Sequence, residues 1–149
     1  MKRFFQKTSV ALAVFFLSLT TASADTDKPI TVNELPAVAQ TVISKNFGQH
    51  KVALAKVEVG LLERRYDVFF TNGDKIEFDR KGNWTEVACK QEGVPVALVP
   101  QEIKDYLKTS QPDVKVIKME RERNNFEVTL SNGIEYTFNK HFKVVDIDR

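Results

Sequence analysis

The chain has 149 residues, 42% of them hydrophobic and 28% charged, with one cysteine, two histidines and a formal net charge of +2. That length holds one ordinary domain or two very small ones, and the balance is that of a globular protein rather than a disordered one. A lone cysteine excludes a disulfide framework within the chain. With only two histidines, a zinc site built from Cys and His is excluded as well.

Residues 1–24 are predicted to be an export signal and not part of the fold. Lys2, Arg3 and Lys7 form a positive start, and Val10 to Leu19 is an apolar stretch too short to span a bilayer as a helix. Ala22-Ser23-Ala24 then supplies the small-x-small pattern of a cleavage site, placing the cut before Asp25. No cysteine follows the stretch, which closes the lipoprotein route. The expectation is a soluble protein of the periplasm. Losing the signal removes three basic residues and leaves 19 Lys and Arg against 20 Asp and Glu, a net charge of −1. A nucleic acid or an anionic membrane needs a positive footprint, and none remains.

The rest of the chain reads as one pattern written twice. From Tyr66 it runs Y-D-V-F-F-T-N-G-D-K-I-E-F-D-R, and from Phe126 it runs F-E-V-T-L-S-N-G-I-E-Y-T-F-N-K. Val68, Asn72, Gly73 and Phe78 recur as Val128, Asn132, Gly133 and Phe138. Upstream, Asn33 is a plausible N-cap, and Leu35, Val38, Ala39, Val42, Ile43 and Phe47 fall at helical spacing. In the second copy Pro100 suits a first turn, Ile103, Tyr106 and Leu107 make the apolar stripe, and Pro112 blocks continuation. The pattern predicts an α+β fold of two tandem units, residues 25–96 and 97–149, each one helix followed by a four-stranded antiparallel sheet. Units that small are marginal alone, so a shared core or a continuous sheet is expected.

Turn chemistry sets the expected register. Thr71-Asn72-Gly73 and Ser131-Asn132-Gly133 fit three-residue hairpin loops that end on a left-handed glycine. That pairs Tyr66 with Phe78 and Val68 with Ile76, and likewise Val128 with Tyr136 and Phe126 with Phe138, so apolar meets apolar. A two-residue loop would oppose Val68 to Glu77. In the next hairpins, tight turns at Lys81-Gly82 and His141-Phe142 are expected to pair Asp79 with Trp84 and Phe138 with Val145.

The export signal, the doubled helix-plus-meander unit and the segment Phe78-Asp79-Arg80-Lys81-Gly82-Asn83-Trp84 together resemble the putative beta-lactamase-inhibitor-like, PepSY-like family of bacterial periplasmic proteins. The likeness covers roughly residues 30–148. The second copy departs from the segment, with Phe142 and Val144 where the first has Gly82 and Trp84. The resemblance implies a tandem α/β repeat similar to the beta-lactamase inhibitor protein, whose sheet surface clasps a partner enzyme. It supplies no catalytic motif.

Motifs that carry chemistry are few. The sequence has no G-x-S-x-G, H-E-x-x-H, C-x-x-C, phosphate-loop or dinucleotide pattern. His50 and His141 fall beside a helix end and in a turn, and Cys89 reads as a small apolar strand residue. No enzyme and no cofactor are expected. Calcium is the one ion considered: Asp79 and Asn83 faintly echo a loop of oxygen ligands, but Arg80 and Lys81 stand between them and the full set is missing. The expected register turns Phe69 and Trp84 away from the helices, among Asp67, Lys75, Glu77 and Asp79. Aromatic anchors in charged surroundings are the composition of a protein-binding surface. The expectation is a noncatalytic module that binds a periplasmic or secreted protein, with inhibition of an enzyme by steric cover as its pictured role; a small-ligand or calcium-responsive sensor is the alternative.

Overall fold

A computed structural model of the chain describes residues 26–149. The predicted export signal lies outside the described residues. Within them the chain forms nine strands and two helices: β1 (Thr26–Ile30), α1 (Ala37–Asn46), β2 (Val52–Val59), β3 (Arg64–Phe70), β4 (Lys75–Phe78), β5 (Trp84–Ala88), α2 (Gln101–Ser110), β6 (Val116–Arg121), β7 (Asn125–Leu130), β8 (Glu135–Asn139) and β9 (Val144–Asp148). All strands join one antiparallel sheet in chain order, β1 through β9. Two separate four-stranded sheets are therefore not formed. A strand that the sequence pattern did not signal, β1, adds itself to β2. It carries Pro29, which an edge strand tolerates because one side of it needs no hydrogen bond.

Both helices lie on one face of the sheet. Along that face, directly paired residues form a continuous apolar row: Ala55, Val68, Ile76, Val87, Met119, Val128 and Tyr136. The first six of these are no more than 3% exposed. Ala39, Ile43 and Phe47 from the α1 side and Ile103 and Leu107 from α2 pack onto them in the same core. Each fully buried large side chain contributes about 1.5–3 kcal/mol.

Each helix begins directly after a proline, Pro36 or Pro100, held at φ −53. The α1 start thus lies downstream of Asn33, which belongs instead to a short 3-10 turn, Val32–Glu34. There the Glu34 carboxylate accepts hydrogen bonds from the Thr31 amide and hydroxyl, and Gln40 donates back to the carbonyls of Asn33 and Leu35.

The three-residue hairpin loops form as expected. Phe70 N–H donates to Asp74 O and Leu130 N–H to Ile134 O, closing loops in which Gly73 and Gly133 take φ +91 and +87. Tyr66 pairs with Phe78, Val68 with Ile76, and Phe126 with Phe138. The next hairpins differ from expectation. Phe78 pairs with Trp84 and Phe138 with Val144, each followed by a β-bulge. The bulge absorbs one residue, Thr85 or Val145, so Ile76 still meets Val87 and Tyr136 still meets Ile147. An extra residue on one strand of a pair switches the side to which everything before it points.

Candidate functional site

The face opposite the helices is uncovered among the described residues, and its residues follow from the same register. One row across it reads Lys56, Asp67, Glu77, Glu86, Glu120, Glu127, Thr137, Asp146. Five carboxylates thus stand on five adjacent strands. With strands about 4.8 Å apart, they form a line roughly 20 Å long. The neighbouring row reads Leu54, Phe69, Lys75, Ala88, Lys118, Thr129, Glu135, Asp148 and brings in the compensating cations.

Like charges directly opposite one another repel, and the lysines are set to answer that. Lys75 binds Glu77 and lies 3.8 Å from Glu86. Lys118 reaches Glu86 at 3.6 Å and Glu120 at 2.9 Å. Lys56 binds Asp27, Glu58 and Asp67 at 2.8, 2.6 and 3.2 Å, and these hydrogen bonds raise its pKa above the usual lysine value. The balance is incomplete. Burial, then the charge of Glu77, raises the pKa of Asp67, which is only 5% exposed. Burial also raises Glu86, assisted by a hydrogen bond with Glu120 and by Glu77. Burial and Glu120 likewise raise Glu127. Burial opposes the charge of Glu120 too, but the hydrogen bonds from Glu86 and Lys118 win and lower it. Asp67, Glu86 and Glu127 therefore keep a proton more readily, and Glu120 gives it up more readily.

Of the residues the sequence pointed to, the structure gathers Phe69, Lys75, Asp67 and Glu77 on this face. Phe69 is half-buried, with Lys75 Nζ 5.5 Å from its ring centre. Trp84 is not there. The bulge turns it to the helix face, where it is 8% exposed and capped by the Arg121 guanidinium at 4.6 Å. Asp79 and Asn83 hold the β4–β5 turn: the Asp79 carboxylate accepts from the amides of Lys81 and Asn83 and from the Asn83 side chain. Those bonds lower the Asp79 pKa against the effect of its burial. Among the described residues, no three His, Cys, Asp or Glu side chains are arranged to hold a metal ion. Sequence reasoning placed Glu127 on the outward face of the second copy but missed Lys56, Glu86, Lys118 and Glu120. Alternation in Glu86-Val87-Ala88 and Lys118 to Glu120 carried the signal, but the pairing of β5 with β6 across α2 is not set by any short turn.

The other reactive side chains lie away from this face. Cys89 is 1% exposed, and burial, with Asp74 nearby, pushes its pKa up to about 12, so it carries no thiolate at neutral pH. His50 is half-buried rather than solvated. Its ring sits 5.8 Å from Phe47 and 5.9 Å from Phe70, with Glu92 at 3.6 Å. His141 stands in the exposed β8–β9 turn.

A meander of this kind, with helices on one face and a charged open face on the other, defines a class of α+β protein built on one antiparallel sheet. Residues 64–146 match the family described as "Putative beta-lactamase-inhibitor-like, PepSY-like", and the chain belongs to that family. It is similar to a solved "putative periplasmic protein" from Bacteroides vulgatus, at 56% identity and a TM-score of 0.82, covering 85% of this chain and 99% of that one. A "putative calcium-regulated periplasmic protein" from Bacteroides thetaiotaomicron is 50% identical, with a TM-score of 0.81, covering 83% of this chain and 97% of that one. A further Bacteroides vulgatus periplasmic protein "of unknown function" is 37% identical, with a TM-score of 0.78, covering 83% of this chain and 100% of that one. No curated protein matches. No helix among the described residues is long and apolar enough to cross a membrane.

Proposed function

We propose that the protein is a noncatalytic periplasmic binding module, built as a duplicated unit of one helix and four strands, whose open sheet face covers a partner protein. Five carboxylates in line, Asp67, Glu77, Glu86, Glu120 and Glu127, carry this reading. Such a row stores repulsion that a cationic surface would relieve, so the partner is a periplasmic or secreted protein with a basic patch. Phe69 supplies an apolar contact beside the row, and inhibition would be steric cover of the partner's active site. The inhibitor-like family description supports this by analogy alone, because a fold does not fix a function.

Capture from periplasmic extract tests the proposal, using the wild-type protein beside a Glu77→Lys/Glu127→Lys variant. The expected result is a retained protein that is released by salt and absent from the variant. Equal capture by both proteins, or none by either, would sink it. A second reading, calcium response, draws on the relative described as calcium-regulated. Asp79 fits it poorly because its carboxylate oxygens already serve the turn, accepting from Lys81 and Asn83. It predicts a Tm that rises with Ca²⁺ and returns with chelator; an unchanged Tm removes it.

A further inference from the structure

A cavity of about 550 Å³ opens beside α2, between that helix, the start of β6 and the connection from β5. Its walls include Val94, Val96, Val99, Leu107 and Val116. Val96, at 69% exposure, offers apolar surface to solvent. The volume falls within the range of sites that enclose a small organic molecule.

The two halves of the molecule finish their helices differently, and the end of α2 forms part of this cavity's wall. At the end of α1 the C-cap is Phe47, which is 1% exposed and stacks on Phe70 at 4.8 Å between ring centres. At the end of α2 the C-cap is Gln111, and Leu130 closes the hairpin strand as Phe70 does in the first half. Gln111 turns its amide to Tyr136 and Asn132, and it lines the cavity instead of filling a corner with a ring.

Charge defines the ligand further. Lys104, Lys108 and Lys115 line the cavity and make no ion pair with any described residue. Two carboxylates also line it, but Glu92 is directed to His50 at 3.6 Å, leaving Asp113 to oppose the lysines. Three cations against these carboxylates leave a net positive rim beside an apolar chamber. We propose that this cavity binds an apolar monoanion of the fatty-acid class, its chain among the valines and Leu107 and its carboxylate among Lys104, Lys108 and Lys115. This site is separate from the open sheet face and does not rest on the reading given to that face.

Titration calorimetry of the purified protein with dodecanoate, below its micelle concentration, tests the assignment. Dodecanol and dodecyltrimethylammonium serve as neutral and cationic controls. Dodecanoate is expected to bind at one site per chain, at least tenfold tighter than either control. Lys108→Glu/Lys115→Glu is expected to weaken it about tenfold, and Val96→Asp to weaken it as well. All three substitutions fall on exposed positions, and circular dichroism verifies that the fold survives. Equal affinity for the cationic surfactant, binding unchanged in both variants, or no binding of dodecanoate would each overturn the proposal. Loss of partner capture at the open face would leave these titrations unaffected.

Discussion

The half of the molecule around α1 and the half around α2 lay the same elements on the same sheet, yet they finish them differently. Around α1 close contacts hold both ends of the helix: Phe47 stacks on Phe70, and Gly82 lets the β4–β5 turn press on the start of the helix. Around α2 they are looser. Phe142 occupies the corresponding turn at φ +58, a backbone conformation that costs a non-glycine residue about 1–2 kcal/mol, and stacks on Phe126 instead. Gln111 replaces an aromatic plug with two hydrogen bonds. Both helices pack on the sheet, but the C-terminal end of α1 is finished by a stacked ring and that of α2 by polar contacts, and the apolar cavity lies beside the second.

Substitutions in the first half are expected to cost most. Phe47→Ala removes a stacked, buried ring and is expected to destabilise by about 3–5 kcal/mol in denaturant unfolding. A loss below about 1 kcal/mol would show that α1 is not held by this corner. Gly82→Ala comes next. At φ +87 the new Cβ would meet Pro36 Cβ at 2.8 Å and the Ala39 amide nitrogen at 3.0 Å, so a loss of about 2 kcal/mol or more is expected from the backbone conformation and the clash together. In the second half, Gln111→Ala is expected to cost only about 1 kcal/mol, the net value of its hydrogen bonds. A cost matching that of Phe47→Ala would erase the contrast.

The smallest effect lies at the seam, where Glu86 of β5 meets Glu120 of β6. Because folding raises the Glu86 pKa, its contribution to stability is full below the ordinary glutamate value and is lost as pH rises through the raised value. Its charge is therefore a burden at pH 7. Glu86→Gln is expected to raise stability by about 0.5 kcal/mol at pH 7, reduced by added salt, and to give no gain at pH 4. A gain that persists at pH 4 would mean that charge is not the cause.

Turn chemistry and alternation made most of this architecture legible. Asn72-Gly73 and Asn132-Gly133 fix their hairpins through the need for a left-handed residue, and the pairing of Val68 with Ile76 follows directly. Bulges are harder to read, since either strand of Phe78 to Ala88 can absorb the extra residue without exposing an apolar side chain elsewhere. That one step reversed Trp84, while the acidic line depends on the β5–β6 pairing, which no short turn fixes. The edge strand β1 escaped notice because Thr26-Asp27-Lys28-Pro29-Ile30 is mostly exposed and shows no apolar alternation.

Strand order has a consequence for how the chain reaches this state. Every strand pairs with its immediate predecessor, and only β1–β2 and β5–β6 must wait for a helix to be laid down between them. Contacts are therefore mostly local, and the entropic cost of closing long loops arises only at those two places. A β-rich chain of this topology is expected to fold faster than a Greek-key sandwich of equal length, with the structure growing from either end of the meander toward the seam.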